Sequence, residues 1–148
     1  ISEDLVTAYV ACHESRVPIE AQEYIKIKKP LIIPISNMPK EIVNLLNSVE
    51  VLDYGLKTST DSFEVGEYGC VMNSAFVLGY AISVATAGGA SNIAMTGIDG
   101  YKANDDRQIE VNNIFSKYNK LDNKVPVYAI TPTTCAVEQR SIFEYDFL

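Results

Sequence analysis

The chain has few of the residues from which metal sites and disulfide frameworks are built. Its 148 residues include three cysteines, Cys12, Cys70 and Cys135, and a single histidine, His13. An odd number of cysteines with no CxxC pair argues against both a secreted disulfide framework and a zinc knuckle. We therefore predict a cytoplasmic protein with no metal or other cofactor in this domain.

Positive charge is also scarce. The 12 Lys and Arg residues face 19 Asp and Glu residues, which gives a formal net charge of -7. This balance, without a basic stripe, argues against nucleic acid and anionic membranes as partners. The uncharged stretch 69–98 is interrupted by polar residues and by Gly88 and Gly89, which argues against a membrane span. The expected partner is a small molecule or another protein.

Length and hydropathy indicate one α/β domain over residues 1–148. With 47% hydrophobic residues, the chain can bury a core that needs no metal or disulfide. Apolar runs typical of strands alternate with helical patterns, which predicts a three-layer, Rossmann-like domain with a mostly parallel sheet of about five strands. The chain opens with Ile1 rather than Met, which suggests a processed chain or, in better agreement with the rest of the sequence, a domain excised from a longer protein.

The predicted elements follow one another in simple alternation. Strands are expected over residues 5–12, 30–35, 49–52, 92–97 and 127–130, with helices near Pro18, after a cap at Ser36 or Asn37, over 70–87, and from 104 to about 120. The helix over 70–87 is apolar on nearly every face, so it is predicted to be central and buried. Residues 57–68 show neither the two-residue period of a strand nor the 3.6-residue period of a helix, and they are predicted to form a long loop.

The last of these helices carries the clearest pattern in the sequence. Val111, Ile114, Phe115 and Tyr118 recur at the i, i+3, i+4, i+7 spacing of one helix face, which predicts that all four are buried. The acidic and amide side chains of 104–106 are suited to open it, because such side chains cap a helix N-terminus.

Candidate ligand-binding residues follow from a rule about sheets. In an open parallel sheet, ligands bind beyond the carboxyl ends of the strands. The rule selects polar or glycine residues just after the predicted strands, namely His13, Asn37, Gly97, Asp99, Gly100, Tyr101, Gln139 and Arg140. No catalytic residue is assigned among them.

Each of these candidates has a structural alternative. Asp99 either accepts hydrogen bonds from a ligand, next to a glycine that allows close backbone approach, or only fixes a tight turn. His13 is the only side chain available for histidine acid/base chemistry, but a lone histidine at a strand end is usually structural. Arg140 and Gln139 could clamp a carboxylate or phosphate, whereas an exposed arginine often has no ligand. Cys12 is expected to be a buried, unreactive side chain.

Phosphate-binding motifs are weak. Residues 66–69, GEYG, could cradle a phosphate at the start of the predicted helix. The sequence contains no GxGxxG motif after a strand and no Walker lysine, so a dinucleotide or P-loop site has no support.

Three segments from Gly69 onward carry a resemblance to a known family. They are LGYAISVATAGGASNIAMTGIDGY, DDRQIEVNNIF and YAITPTTCAVEQRSIF. Together they resemble the C-terminal domain that follows a hydroxymethylglutaryl-CoA-lyase-type aldolase barrel in proteins of bacterial surface-polysaccharide gene clusters. The pattern of helix, strand and GIDGY is also similar to nucleotide-sugar-binding cores of bacterial sialyltransferase-like and motility-associated glycosyltransferase proteins.

The resemblance implies an association with an aldolase rather than aldol chemistry in this chain. Lyases of that type hold a divalent metal with an Asp and an HxH pair, and this sequence has no HxH. The implied partners are the aldolase barrel of the same chain and a sugar or nucleotide sugar bound around Gly97–Tyr101. Two alternatives stay open: a glycosyltransferase-like enzyme using Asp99 or His13, and an interaction module that binds the barrel or a second copy of itself.

Overall fold

Strands and helices alternate along the chain in the computed structural model, which describes residues 2–144. The strands are β1 (Tyr9–Val10), β2 (Leu31–Ile33), β3 (Val51–Asp53), β4 (Gly55–Thr58), β5 (Glu64–Val65), β6 (Gly69–Met72), β7 (Ile93–Met95), β8 (Val127–Ala129) and β9 (Glu138–Gln139), and the α-helices are α1 (Val17–Tyr24), α2 (Lys40–Leu45), α3 (Val77–Ala87) and α4 (Asp106–Tyr118). The α/β class is therefore confirmed. Ile1, which motivated the prediction of an excised domain, lies outside the described residues.

Hydrogen bonding groups the strands into three small sheets. Their orders are β1-β2-β3, β4-β6-β5 and β7-β8-β9. Every neighbouring pair is parallel except β5 and β6. The sequence led us to expect one sheet of about five strands, and the structure instead divides the pairing among three sheets of three.

The chain also divides into two compact units, Ile1–Val84 and Ala85–Leu148. The first unit contains the sheets β1-β2-β3 and β4-β6-β5, and the second contains β7-β8-β9. The predicted strand ends are distributed accordingly. Cys12 and Ile35 follow strands of the first unit, whereas Gly97 and Ile130 follow strands of the second.

One extended segment joins the two sheets of the first unit. Strands β3 and β4 are separated by a single residue, Tyr54, whose N–H donates to the carbonyl of Ile33 in β2 at 3.4 Å. The next N–H, of Gly55, donates to the carbonyl of Tyr68 at 2.8 Å, just before β6. Successive N–H groups of a strand point to opposite sides, so the segment 51–58 is flanked by β2 on one side and β6 on the other.

The core of the first unit forms between its first sheet and helices α1 and α2. Its buried members are Ala11, Val17, Leu31, Ile33, Ile42 and Leu46. Leu31 and Ile33 are fully buried, and the residue between them is only partly covered, as the alternation of a strand requires. Pro18 lies in the first turn of α1, as predicted, because proline has no N–H to lose there. This packing fixes the loops that leave β1 and β2.

The predicted helix over 70–87 is wrong in its first part. Residues 69–72 form β6, and only Val77–Ala87 is helical. A β carbon on Gly69 would lie 2.7 Å from the carbonyl oxygen of Gly55, so the absence of a side chain permits the close approach of β4 and β6. The predicted loop over 57–68 is also wrong, because it includes the end of β4 and all of β5.

The predicted cap of α2 is wrong as well. Ser36 and Asn37 lie in a 3-10 turn, Ile35–Asn37, and α2 begins only at Lys40 after Pro39. Pro34 directly follows β2, because a proline has no N–H to donate to the ladder, and β2 is the central strand of its sheet. The early end of β2 leaves the 3-10 turn free to contribute to the cleft described below.

The second unit confirms the predicted amphipathic helix. Val111, Ile114, Phe115 and Tyr118 of α4 are all buried. Asp105 caps the helix by accepting a hydrogen bond of 2.9 Å from the N–H of Arg107. The C-terminal part of the second unit also contains a strand that the sequence pattern did not predict. This strand, β9, pairs in parallel with β8.

Within the part of the chain that the structure describes, the helices are too short or too polar to cross a membrane.

Candidate ligand-binding sites

A cleft of about 630 Å³ opens at the carboxyl ends of β1 and β2 in the first unit. We call it the β1–β2 cleft. It is lined by Cys12, His13, Glu14, Ser15, Pro18, Pro34, Asn37, Met38, Pro39, Glu41, Ile42, Leu56, Thr58 and Ala75. His13 and Asn37, which the sequence placed after two different strands, therefore line the same cleft.

The turn between β1 and α1 presents His13 at the cleft. The carbonyl oxygen of His13 accepts hydrogen bonds from the N–H groups of Arg16 and Val17, at 3.0 and 3.1 Å. The hydroxyl oxygen of Ser15 lies 3.0 Å from Nδ1 of the His13 ring. The backbone bonds close the turn that begins α1, and the side-chain bond restrains the imidazole.

The opposite wall comes from the 3-10 turn that follows β2. The N–H of Asn37 donates to the carbonyl of Pro34 at 3.0 Å. The Ser36 hydroxyl donates to Oδ2 of Asp53, and the Ser36 N–H donates to Oδ1 at 3.4 Å. Asp53 is the last residue of β3, so a carboxylate at one strand end holds the turn at the end of the neighbouring strand.

Two polar residues of this cleft, Glu41 and Thr58, lie away from the ends of the predicted strands. Glu41 lies in the first turn of α2, and Thr58 is the last residue of β4. Neither residue follows a predicted strand, so the strand-end rule could not select them. Their position depends on how α2 and β4 pack in the folded unit.

The polar groups of the cleft are suited to hydroxyl-bearing ligands. The side chains of Glu14, Asn37, Glu41 and Thr58 make no hydrogen bond to any other described residue, and all four are exposed. Carboxylates accept, hydroxyls donate and accept, and the amide does both. Proline, methionine, leucine and isoleucine supply apolar surface beside them, a mixture typical of small-molecule sites.

Cys12 forms part of the cleft wall, and its side chain is buried. The residue is only 4% exposed. Burial, reinforced by the nearby thiol of Cys70, raises the pKa of Cys12 to about 12. The pKa of Cys70 is raised to about 11, also by burial. The prediction that Cys12 is buried is therefore confirmed, and the raised pKa disfavours the thiolate, which is the attacking form of a cysteine.

A smaller cavity of about 210 Å³ shares Cys12 and His13 with the cleft. The side chains of Arg16, Glu20 and Tyr24, which recur along one face of α1, also line it. The Tyr24 hydroxyl donates to Oε2 of Glu20 at 2.5 Å. Burial and this bond raise the pKa of Tyr24 above its ordinary value.

In the second unit, the segment Gly97–Tyr101 forms a tight turn after β7. Gly97 and Gly100 have φ angles of +70° and +87°, which other residues rarely adopt. The carbonyl oxygen of Asp99 accepts hydrogen bonds from the N–H and the hydroxyl of Thr134, at 2.9 and 3.1 Å. These contacts are made by the backbone of Asp99, so they hold the segment without using the Asp99 side chain. Its carboxylate is exposed and makes no bond to another described residue.

A buried glutamine holds the same turn from the side of α4. Gln108 is 5% exposed, and its Oε1 accepts a hydrogen bond of 2.6 Å from the N–H of Tyr101. Its Nε2 donates to the carbonyl of Thr134 at 3.0 Å. The Arg107 guanidinium lies 4.3 Å from the centre of the Tyr101 ring. The Asp99 carbonyl, the Tyr101 N–H and the Tyr101 ring are thus each in contact with another protein group.

The remaining predicted residues are also engaged by the protein. Nε2 of Gln139 donates to the carbonyl of Thr133 at 3.4 Å. Nε of Arg140 donates to Oε1 of Glu138 at 2.7 Å, and its guanidinium lies 4.5 Å from the centre of the Tyr128 ring. The bond with Arg140 lowers the pKa of Glu138. One nitrogen of the arginine is therefore already occupied by a carboxylate.

The predicted residues fall into two groups. His13 and Asn37 line one cleft of the first unit, whereas Gly97–Tyr101 and Gln139 are held by the loop 131–134 of the second unit. The predicted phosphate cradle at 66–69 is wrong, because the Gly66 N–H donates to the Gly69 carbonyl at 2.9 Å and the segment leads into a strand, not a helix.

Among residues 2–144, no group of three or more His, Cys, Asp or Glu side chains is arranged to hold a metal ion. Comparison of the chain with protein families, with curated proteins and with solved structures finds no significant match.

Proposed function

We propose that the chain is a ligand-binding, accessory domain of an aldolase-type protein in bacterial surface-sugar metabolism, and that it binds a sugar or nucleotide sugar. The observation that carries the binding proposal is the β1–β2 cleft, because it combines about 630 Å³ of space with four exposed polar side chains that have no partner in the described protein. The association with an aldolase rests on the resemblance of the three segments quoted above.

The cleft supports binding more strongly than catalysis. His13 is its one imidazole, and the partner of Nδ1 is the hydroxyl of Ser15 on the same turn. A catalytic histidine is usually oriented by a carboxylate or a carbonyl and faces a nucleophile or leaving group. The hydrogen bond to Ser15 explains the position of the His13 ring, and no catalytic role is needed to explain it.

A Rossmann-like layered arrangement is the finer part of the proposal for the fold. It is supported by two consecutive units, β1-α1-β2 and β2-α2-β3, in which each helix connects neighbouring parallel strands. Such units place ligands at the carboxyl ends of their strands, which is where the cleft opens.

The test is a titration of the 15N-labelled chain with N-acetylglucosamine and with its UDP derivative, followed by amide chemical shifts. The proposal expects saturable shifts at His13 and Asn37 with at least one of these ligands. Asn37→Ala should weaken that binding, and Asn47→Ala, which changes an exposed asparagine outside the cleft, should not. Shifts that are absent from the cleft with both ligands contradict the proposal.

A second candidate function is an interaction module, since large apolar side chains are exposed. Ile19 on α1 is 81% exposed, Leu5 is 78% exposed and Phe143 is 94% exposed. Apolar side chains in contact with water are stabilised by a partner that covers them. Light scattering of the isolated chain tests self-association, and a monomer at all concentrations would contradict self-association through these side chains.

A further inference from the structure

We infer that the β1–β2 cleft selects an uncharged, hydroxyl-rich ligand, namely a sugar without a phosphate group, and that it excludes nucleoside diphosphate sugars. The inference rests on the proposed binding function of this cleft and narrows its ligand class. It follows from the charges that line the cleft and from the state of the backbone donors next to it.

The fixed charges of the cleft are negative. Glu14 and Glu41 line it, and no lysine or arginine does so among the described residues. A diphosphate would bring further negative charge into the same space, and like charges a few ångströms apart repel each other. Diphosphate sites in proteins normally supply arginine, lysine or a metal ion.

The start of α1, next to the cleft, is also unsuited to phosphate. A helix that follows a parallel strand often binds phosphate through the free N–H groups of its first turn. Here the N–H groups of Arg16 and Val17 are already bonded to the carbonyl of His13, and Pro18 has no N–H. Three successive positions at the start of α1 therefore offer no donor to an anion.

A neutral sugar matches the remaining groups. Vicinal hydroxyls can donate to the carboxylates of Glu14 and Glu41, and the amide of Asn37 and the hydroxyl of Thr58 can donate to or accept from a sugar oxygen. The apolar surfaces of Pro18, Met38 and Pro39, which line the cleft and are exposed or half-buried, can cover the C–H face of a ring. Selectivity would then come from repulsion of the charged ligand as well as attraction of the neutral one.

The experiment compares one sugar in three charge states on the intact 148-residue chain. N-acetylglucosamine, its 1-phosphate and its UDP derivative are titrated while amide shifts of the cleft residues are followed. We expect the neutral sugar to bind about tenfold or more tightly than either phosphorylated form, a difference of about 1.4 kcal/mol. Raising the salt concentration should reduce this difference in affinity, because salt screens exposed charges.

Two variants separate electrostatic exclusion from a simple lack of space. In Glu14→Gln/Glu41→Gln, the phosphorylated sugars should gain at least about threefold in affinity, because the repulsion between like charges is removed. Glu50→Gln removes a carboxylate outside the cleft and should leave all three affinities unchanged. An unaltered affinity of the double variant for the 1-phosphate overturns the electrostatic argument.

The two proposals fail in different ways. If the amide shifts show that the UDP sugar binds the cleft at least as tightly as the neutral sugar does, the inference is overturned and the proposed binding function stands. If none of the three compounds shifts the cleft, the binding function itself is contradicted and the inference fails with it.

Discussion

The hydroxyl of Tyr80 donates a hydrogen bond of 2.5 Å to the carbonyl oxygen of Tyr54. Tyr54 is the residue at which the extended segment 51–58 passes from one partner strand to the next. Tyr80 is completely buried on α3, and the two rings lie 5.7 Å apart. A single helix side chain therefore secures the junction of two sheets.

Removing that hydroxyl should destabilise the first unit. Tyr80→Phe leaves the Tyr54 carbonyl without this donor in a buried position, which typically costs about 1–3 kcal/mol. Urea unfolding followed by circular dichroism measures the change. Tyr68→Phe is the matched control, because Tyr68 is 80% exposed and surface changes usually stay within about 0.5 kcal/mol. Equal stabilities of the two variants would contradict the role assigned to Tyr80.

Gly100 should tolerate alanine less well than Gly97. Both residues have a positive φ, so both substitutions strain the backbone by about 1 kcal/mol. A β carbon on Gly100 would also lie 2.2 Å from Oγ1 of Thr134 and 2.9 Å from Oε1 of Gln108, whereas nothing lies within 4 Å of one on Gly97.

We therefore expect Gly100→Ala to lose about 1–3 kcal/mol more than Gly97→Ala, because overpacking adds to the strain. The measurement is the free energy of unfolding of both variants under the same conditions. A larger loss for Gly97→Ala would mean that the contacts around Gly100 give way without cost.

The buried thiols should make stability depend on pH in the alkaline range. The pKa of Cys12 is about 12 in the folded protein and about 8.5 in an unfolded chain. The contribution of a group whose pKa is raised by folding is complete below the unfolded value and is lost as the pH rises toward the folded value. The urea midpoint should therefore fall from about pH 8.5 upward.

Cys12→Ala provides the comparison for that experiment. It lacks the titrating thiol, so the difference between wild type and variant should itself change with pH, while tyrosines and lysines contribute equally to both. A second readout is alkylation by iodoacetamide at pH 8, which should modify Cys12 and Cys70 only when urea unfolds the chain. Rapid labelling of Cys12 in the folded protein is the result that this account forbids.

Helix α4 should lose stability in strong acid through its cap. The hydrogen bond and charge of Arg107 lower the pKa of Asp105 to about 2, compared with about 3.9 in an unfolded chain. The stabilisation is present above the unfolded pKa and is lost as the pH falls through about 2. Helicity measured by circular dichroism between pH 5 and 2 should decrease over this interval.

Two substitutions of Asp105 distinguish the hydrogen bond that caps α4 from the ion pair with Arg107. Asp105→Asn retains an oxygen that can accept from the N–H of Arg107, and Asp105→Ala does not. We expect the alanine variant to be less stable than the asparagine variant, and both to lose less helicity than wild type between pH 5 and 2, because only the contribution of Asp105 is removed. If asparagine is no better than alanine, the ion pair with Arg107 matters more than the cap.

The most reliable predictions from the sequence concern helices with a clear apolar face. In α4, each of the four stripe residues is buried, because a surface helix must turn its apolar side to the core. In 69–87, the apolar run is continuous, and a buried strand followed by a buried helix has the same composition as one long helix. Strand β4 was not predicted, because Lys57 and Thr58 are both exposed and the strand lacks an alternation of buried and exposed residues.

The candidate site was predictable only where it depends on strand ends. His13 and Asn37 could be selected because each follows an apolar run, and the structure brings both to one cleft. Glu41 and Thr58 reach that cleft through the packing of α2 and β4, which no local pattern encodes. In the second unit, the network of Gln108 and Thr134 joins residues 26 positions apart, so the turn at Gly97–Tyr101 could be located but its bonding partners could not.

The segment 51–58 has no spare length. Because its two halves follow one another across a single residue and serve different neighbours, deleting or inserting one amino acid near Tyr54 would slip both ladders out of alignment together. Evolution can therefore lengthen the loops on either side of this segment more easily than it can edit the segment itself.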